Sequence, residues 1–508
     1  MYHLIPFAAI LGMTYALSLA IYRLFLSPLA KFPGPKLAAV TGWVETYYQL
    51  FYGEGGQFIF LYKEWHQKYG PIIRINPWEV HISDSCFFEI LYSTNRPLKK
   101  LPHLAKVFDN ELSGFSTVSP ELHRIRRKAV SHLFSKGEVL KRGAQIQSAM
   151  DRLSERLKLD FLGHGNRVIC MNDMWSVYTA DLIAEYAFGR HYGFIDQPNF
   201  EADFTKALVH LLEPTHLAQQ FPWLTDILKA LPTSVLEFLH PHMAAFNKFK
   251  AANQVRIAKA NFAKDLSKGG TMFSAIFNSD LPDEEKSIER AHQEALAFAA
   301  AGAETVAATL SVASFHLLHD PKIRRRLDEE LATVVPDSRS SDASMPSLEI
   351  LWQLPYLTGI INEALRLSYG SYARIPRTSD TPIQYDEWTI PPGVVFSMDI
   401  APAHHDERIF PDSYSFKPER WLDNPQAFDG KPLTRYLFSF SRGTRSCLGM
   451  QLALAEMYIG IVSFFSRFDA HLFETDLTDI TFVRDRFAPR PRIGSRGVRV
   501  NRLTTRKF

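Results

Sequence analysis

The chain has 508 residues, 46% of them hydrophobic and 22% charged, a globular balance with ample core material that excludes a disordered or low-complexity protein. Its formal charge of +3 is small, and cationic runs such as HRIRRK at 123–128 are scattered along the chain, so nucleic acid is not an indicated partner. Cys86, Cys170 and Cys447 are odd in number and widely spaced, and no Asn-x-Ser/Thr site accompanies them, which excludes a disulfide-stapled secreted domain and fits a reduced, cytosol-facing body.

The first element, Leu4 to Tyr22, reads LIPFAAILGMTYALSLAIY without a formal charge, long enough for one tilted helix across a bilayer. Arg23, Lys31 and Lys36 follow it, no Lys or Arg precedes it, and it lacks a small-residue cleavage site. That pattern predicts a retained anchor over residues 1–27 with the body in the cytosol. Residues 28–36 carry Pro28, Pro33 and Pro35, which fix φ and forbid continuous helix, giving a short stiff hinge. Residues 37–508 contain no linker-like run and no repeat, and read as one large unit. Helical periodicity dominates to about residue 370, including a long run from about Ser287 to Leu318. Two regions, near 70–83 and 383–398, are β-branched and aromatic between Pro and Gly, predicting small sheets in a mostly α fold.

Near the C-terminus, FSFSRGTRSCLGM (438–450) sets Cys447 after Arg442, Gly443 and Arg445 and before an apolar helical pattern. A buried lone cysteine is usually a small core residue. Here a helix starting at or just after the thiol points backbone N–H groups and a positive dipole end at sulfur, favouring thiolate. Gly443 and Gly449 would let backbone approach a flat partner closely. Such a thiolate over a planar ligand suggests an axial ligand to haem iron; a catalytic cysteine would need a histidine base, for which no local signature is present.

Phe440, Gly443, Arg445, Cys447 and Gly449 match the F-x-x-G-x-R-x-C-x-G signature of the cytochromes P-450, and AGAET (Ala301–Thr305), EALR (Glu363–Arg366) and FKPERW (Phe416–Trp421) precede it in family order. The chain resembles that family over essentially its whole length, in particular fungal microsomal members of secondary metabolism of the trichodiene oxygenase type. The resemblance implies haem b with Cys447 as iron ligand and Phe440, Gly443 and Gly449 in the cofactor loop. It also implies a structural cluster of Glu363, Arg366 and Arg420, with propionate partners Arg445, Arg127, His123 and Arg374, Arg377 being a substitute for the last.

Gly302 in mid-helix costs stability relative to Ala. It reads either as a close helix crossing or as a local opening that makes room for dioxygen, with Glu304 and Thr305 as the acid and alcohol of a proton relay. By family position the resemblance implies pocket walls from around Phe115, from Phe298 and Ala301, from residues 370–376 and from around Phe487, enclosing a lipophilic substrate, with a terpenoid ahead of a polyketide or alkaloid scaffold. No G-x-G-x-x-G after a strand and no P-loop occurs, so no nucleotide or flavin domain is built in. Resemblance to microsomal members implies an NADPH-dependent flavoprotein reductase, with basic residues such as Arg442 near its docking face, and residence in the endoplasmic reticulum membrane. A haem-thiolate isomerase or a haem-binding module without turnover is the competing class, disfavoured by the intact acid and alcohol.

Overall fold

The structure, a computed structural model, describes residues 4–165, 167–239, 244, 247–252, 254–255, 270–335, 345–370 and 374–506. An apolar helix, Leu4–Ile21, passes through a π-helical turn, Tyr22–Leu26, into the body. None of the span Phe7–Leu26 is buried, although it is long and apolar enough to cross a membrane. The proline segment is docked and not a free connector. Phe32 stacks on Trp388 at 5.3 Å, Arg74 N–H donates to the Pro33 carbonyl at 2.7 Å, and a Cβ on Gly34 (φ +147°) would lie 2.5 Å from the Arg74 carbonyl oxygen.

The core is helical and centred on Ile288–His319, whose N-terminus is capped by Ser287 Oγ accepting from Arg290 N–H at 3.2 Å. This helix is also apolar enough to cross a membrane, but most of it is buried within the protein, where it serves as the core. Its alanine-rich surface permits a close crossing with Met171–Phe188. Gly302 sits at that crossing: an added Cβ would be 2.8 Å from Ile183 Cγ1. The helix runs unbroken through Gly302, so close packing against Ile183, and not a local opening, is what the glycine serves here. Helices Pro355–Ser368 and Met450–Arg467 pack on the same central helix and frame the site.

Among the described residues, ten short strands complete the fold: β1 Ile72–Arg74, β2 Glu79–Ile82, β3 Ile169–Cys170, β4 Ile383–Tyr385, β5 Trp388–Ile390, β6 Val395–Ser397, β7 Phe468–Leu472, β8 Arg484–Arg486, β9 Ala488–Arg490 and β10 Arg499–Thr505. They form two three-stranded sheets, β1-β2-β6 and β3-β10-β7, and the hairpins β4-β5 and β8-β9. In the first sheet β1 pairs antiparallel with β2, and β2 parallel with β6. Both regions expected to form sheet do so, and the fold is mostly α with small sheets.

Candidate functional site

The cysteine loop is held from several directions. Cys447 N–H donates to the Phe440 carbonyl at 2.8 Å, closing the loop, and the helix Met450–Arg467 starts three residues after the thiol, behind Gly449. Gly443 (φ +71°) is obligatory, because a Cβ there would fall 2.1 Å from the Tyr92 carbonyl oxygen. A Cβ on Gly449 would meet nothing within 4 Å, so the protein itself does not require glycine there. The Cys447 side chain is accessible although protein surrounds it on most sides, which leaves room for a group to meet the sulfur. Burial raises its thiol pKa, against a Gly449 backbone N–H and the Arg127 charge that lower it. The expected preference for thiolate is therefore not met by the polypeptide alone; desolvation outweighs the dipole, and a coordinated cation would reverse the balance.

Behind the loop lies an ion cluster centred on the fully buried Glu363 and Arg366. Glu363 carboxylate oxygens accept from Arg366 Nη2 at 2.7 Å and Nε at 3.0 Å, from Arg420 Nε at 3.0 Å, from Trp421 Nε1 at 2.9 Å and from Lys417 N–H at 3.0 Å. Arg366 Nη1 also donates to the His404 carbonyl at 2.9 Å. The His404 ring then carries the contact to the cysteine loop. Its Nε2 accepts from Phe438 N–H at 2.8 Å, which requires the proton on Nδ1, and Nδ1 donates to the Arg366 carbonyl at 2.9 Å. Burial, reinforced by Arg366, depresses its pKa well below the usual value, keeping it neutral. His404 lies outside every sequence motif, and nothing in the sequence pointed to it.

A second group gathers cations. His123 is buried and its pKa falls to about 3, first through burial and then through Arg445, Arg127, Lys100 and Arg377. Arg445 is lowered to about 9 by burial, Arg377 and Arg127, and the Lys100 ammonium is driven well below its usual range by burial, Arg377 and Arg445. Arg127 Nη1 donates to the Ser446 carbonyl at 2.8 Å, and Arg445 donates to the carbonyls of Thr117, Val118 and Ser119, while its buried Nε has no acceptor among the described residues. Cations crowding one another in the interior form a cradle for anionic groups. Arg374 is not part of it. Its guanidinium pairs with Glu45 at 2.6 Å and Glu79 at 3.6 Å, and the substitute, Arg377, takes the place beside Lys100 and Arg445. Lys100 carried no sequence signal. Its Nζ donates to the Phe115 carbonyl at 2.5 Å and lies 3.9 Å from the centre of the Phe115 ring.

On the central helix, Ala301, Thr305 and Ala308 form an accessible stripe at i, i+4 and i+7 amid buried neighbours, as expected of a wall facing an internal cleft. Thr305 Oγ1 donates to the Ala301 carbonyl at 2.8 Å, and Glu304 forms an ion pair with Arg490. Phe487 lies 4.7 Å from Phe108 and 6.4 Å from Phe115 between ring centroids, whereas Phe298 packs edge-on against Phe134 at 5.4 Å. Phe298 is thus not brought into the Phe108, Phe115 and Phe487 group. Of the expected wall 370–376, residues 371–373 lie outside the described residues. The basic run 123–128 is divided by its helix. His123 and Arg126 are buried, Arg126 pairing with Glu285 at 2.6 Å, while Arg127 reaches the cysteine loop. Arg442 is likewise committed, to Glu89 at 3.2 Å and to the carbonyls of Thr434 and Arg435, leaving Arg435 as the more exposed cation on that face.

A sequence profile of the family "Cytochrome P450" matches residues 39–487. The chain is a cytochrome P450. It is 39% identical over 97% of its length to a cytochrome P450 monooxygenase, orf6, of Eupenicillium brefeldianum, with 98% of that protein covered. It is also 36% identical over 98% of its length to the tryptophan 6-hydroxylase fscE of Fusarium equiseti, covering 97% of it. The conidiogenone synthase PchP450 of Penicillium rubens is 35% identical over 97% of the chain, with 98% of that protein covered. The P450 family carries haem-thiolate iron, and this chain's residues fit that group: an accessible thiol, open space above Gly449 and a buried cationic cradle. The enzyme is an oxidoreductase of the monooxygenase type, related to fungal P450s of secondary metabolism.

Proposed function

We propose that this P450 is a membrane-anchored monooxygenase that hydroxylates or epoxidises a lipophilic secondary metabolite, with a terpenoid as the leading class. The observation that carries the reading is that contacts at several points draw the Cys447 loop, the cationic cradle and the Thr305 stripe towards one another. Arg127 touches Ser446, Lys100 touches Phe115, Phe115 touches Phe487, and Arg490 of the same hairpin holds Glu304.

Within that frame Cys447 is the iron ligand, and Arg445, Arg127, His123, Arg377 and Lys100 receive the propionates. Glu363, Arg366 and Arg420 fix the loop. Bound haem supplies activation of dioxygen and transfer of one oxygen atom to the substrate. The chain's part is to hold the substrate, exclude water and deliver protons. Thr305 presents a hydroxyl whose own proton is committed to Ala301, leaving its oxygen to order a proton donor in the cleft, and Glu304 brings protons when it parts from Arg490. Phe108, Phe115 and Phe487 provide an apolar wall.

The exposed helix Leu4–Ile21 is the anchor, which puts the body on the cytosolic face of the endoplasmic reticulum, where a flavoprotein reductase supplies electrons from NADPH. The conidiogenone synthase name of one relative supports a terpenoid, and the tryptophan hydroxylase name of another keeps nitrogenous scaffolds open. The test is NADPH consumption with purified reductase. Stimulation by a terpenoid, with oxygenated product, is the expected result; turnover of a peroxide substrate without reductase would overturn it.

A further inference from the structure

The hairpin β8-β9 carries a charge arrangement that haem binding does not require. Strand alternation puts Arg484 and Arg486 on one face, and the pairing of Arg484 with Arg490 brings a third guanidinium onto it. Three adjacent cations repel one another and need carboxylates. Glu213, just after the helix Asp203–Leu212, lies 3.8, 3.3 and 3.9 Å from Arg484, Arg486 and Arg490 respectively. Glu54 lies 3.3 Å from Arg484, and Glu304 pairs with Arg490. Arg486 gives its two Nη groups to the carbonyls of Gln49 and Glu54.

The donors of Arg490 are unevenly used. Nη1 is taken by Glu304, while Nε and Nη2 are buried and have no hydrogen-bond acceptor among the described residues. The Glu213 carboxylate oxygen facing Nε is 3.9 Å away, beyond hydrogen-bond length. Nε and Nη2 carry parallel N–H bonds and form the edge of a guanidinium that receives a carboxylate through two bonds at once. A buried charged edge without acceptors is costly, so it calls for an anionic oxygen pair from outside the chain. Glu213 has 38% of its side chain exposed and can turn outward as such a group enters. Three residues before Arg490, at the turn of the same hairpin, Phe487 packs against Phe108 and, more distantly, Phe115, so one hairpin carries both the cationic edge and part of an apolar wall.

We propose that the substrate is a lipophilic carboxylic acid, its carboxylate held side-on by Arg490 and its apolar body lying against Phe108, Phe115 and Phe487. The inference deepens the monooxygenase reading and rests on it. Because Arg490 also holds Glu304, the acid is anchored one residue along the helix from Thr305. Arg490 is then the residue that sets specificity, and an ester or alcohol of the same skeleton lacks the paired oxygens it needs.

The test titrates full-length holoprotein with abietic, dodecanoic and indole-3-acetic acids and with their methyl esters, reading the shift of the Soret band from low to high spin. At least one acid is expected to bind roughly tenfold or more tightly than its ester. Arg490→Gln should erase that preference. Arg490→Lys, which keeps a cation beside Glu304 and guards against a folding defect, should lose most of it for want of the two-donor edge. Esters that bind as tightly as acids throughout, a preference that survives Arg490→Gln, or no response to any acid would each overturn the proposal. The reduced carbon monoxide spectrum of the same preparations separates the two ideas. A red-shifted Soret band leaves the haem-thiolate reading standing whatever the titration gives, and its absence in wild type overturns both.

Discussion

Thr305 shows how one side chain is prepared by its surroundings. A threonine inside a helix readily donates to the carbonyl four residues back, and Thr305 does so to Ala301 at 2.8 Å, on an accessible stripe of a largely buried helix. Its oxygen therefore faces the cleft as an acceptor in a fixed place. Thr305→Ala removes that acceptor without changing the helix, so electron use and product formation should part company. The expected outcome is a fall of roughly tenfold or more in product per NADPH, with hydrogen peroxide released, measured by a peroxide assay beside product quantitation. Coupling as tight as in wild type would contradict the role. The motif made Thr305 and Glu304 legible in the sequence, but not the partner of Glu304, because Arg490 is remote in sequence and belongs to no motif. The two arginines of SYARIPR show a subtler limit. Residues 374 and 377 flank Pro376 in an extended segment that bridges Asp399 and Phe396, and an odd separation in extended backbone points side chains to opposite faces. One meets Glu45 and the other meets the cradle, a choice that composition does not decide.

At the scale of elements, the cysteine loop depends on two helical segments far from it in sequence, Pro355–Ser368 and Ala401–His404. The chain of contacts runs from Glu363 to Arg366, through the neutral ring of His404, to Phe438 N–H and so into the loop. Glu363 is fully buried and accepts from five donors, so Glu363→Gln removes a charge that two guanidiniums need. Breaking a buried pair in this way costs about 3–5 kcal/mol. The variant should express with much reduced haem content, measured by the pyridine haemochrome; haem content equal to wild type would sink the role. EALR and FKPERW made the three charges readable in the sequence, since their spacing puts Glu363 and Arg366 on one helix turn. His404 was not readable: one of two adjacent histidines at the end of the short helical turn Ala401–His404 gives no signal until the fold sets it between two backbone groups. Gly302 was readable only as a cost, and the neighbour that explains it, Ile183, is on another helix.

Over the whole molecule, the mostly α class and both sheet regions follow from periodicity and turn residues, whereas the docking of the proline segment onto β1 depends on long-range contacts. The same burial that shapes the site also sets a pH limit on the fold. His66, His123, His316 and His405 are lowered to about 3 and His404 well below its usual value, in each case chiefly by burial. A depressed folded pKa means that the unfolded chain takes up protons first. Stability is therefore complete above the unfolded value of ~6.5 and declines as pH falls from there towards 3, by up to about 1.4 kcal/mol per pH unit for each such histidine. Thermal unfolding should shift steadily downward between pH 7 and pH 5; a flat profile would show that these rings are not held neutral.

Cys447 as the iron ligand is tested most directly by the reduced, carbon monoxide-bound difference spectrum of the full chain in microsomes, for wild type and Cys447→Ser. A red-shifted Soret band in wild type that is absent from Cys447→Ser is the predicted result. Well-folded wild type without haem, or with the spectrum of histidine-ligated haem, would contradict the assignment of Cys447 and the site built around it.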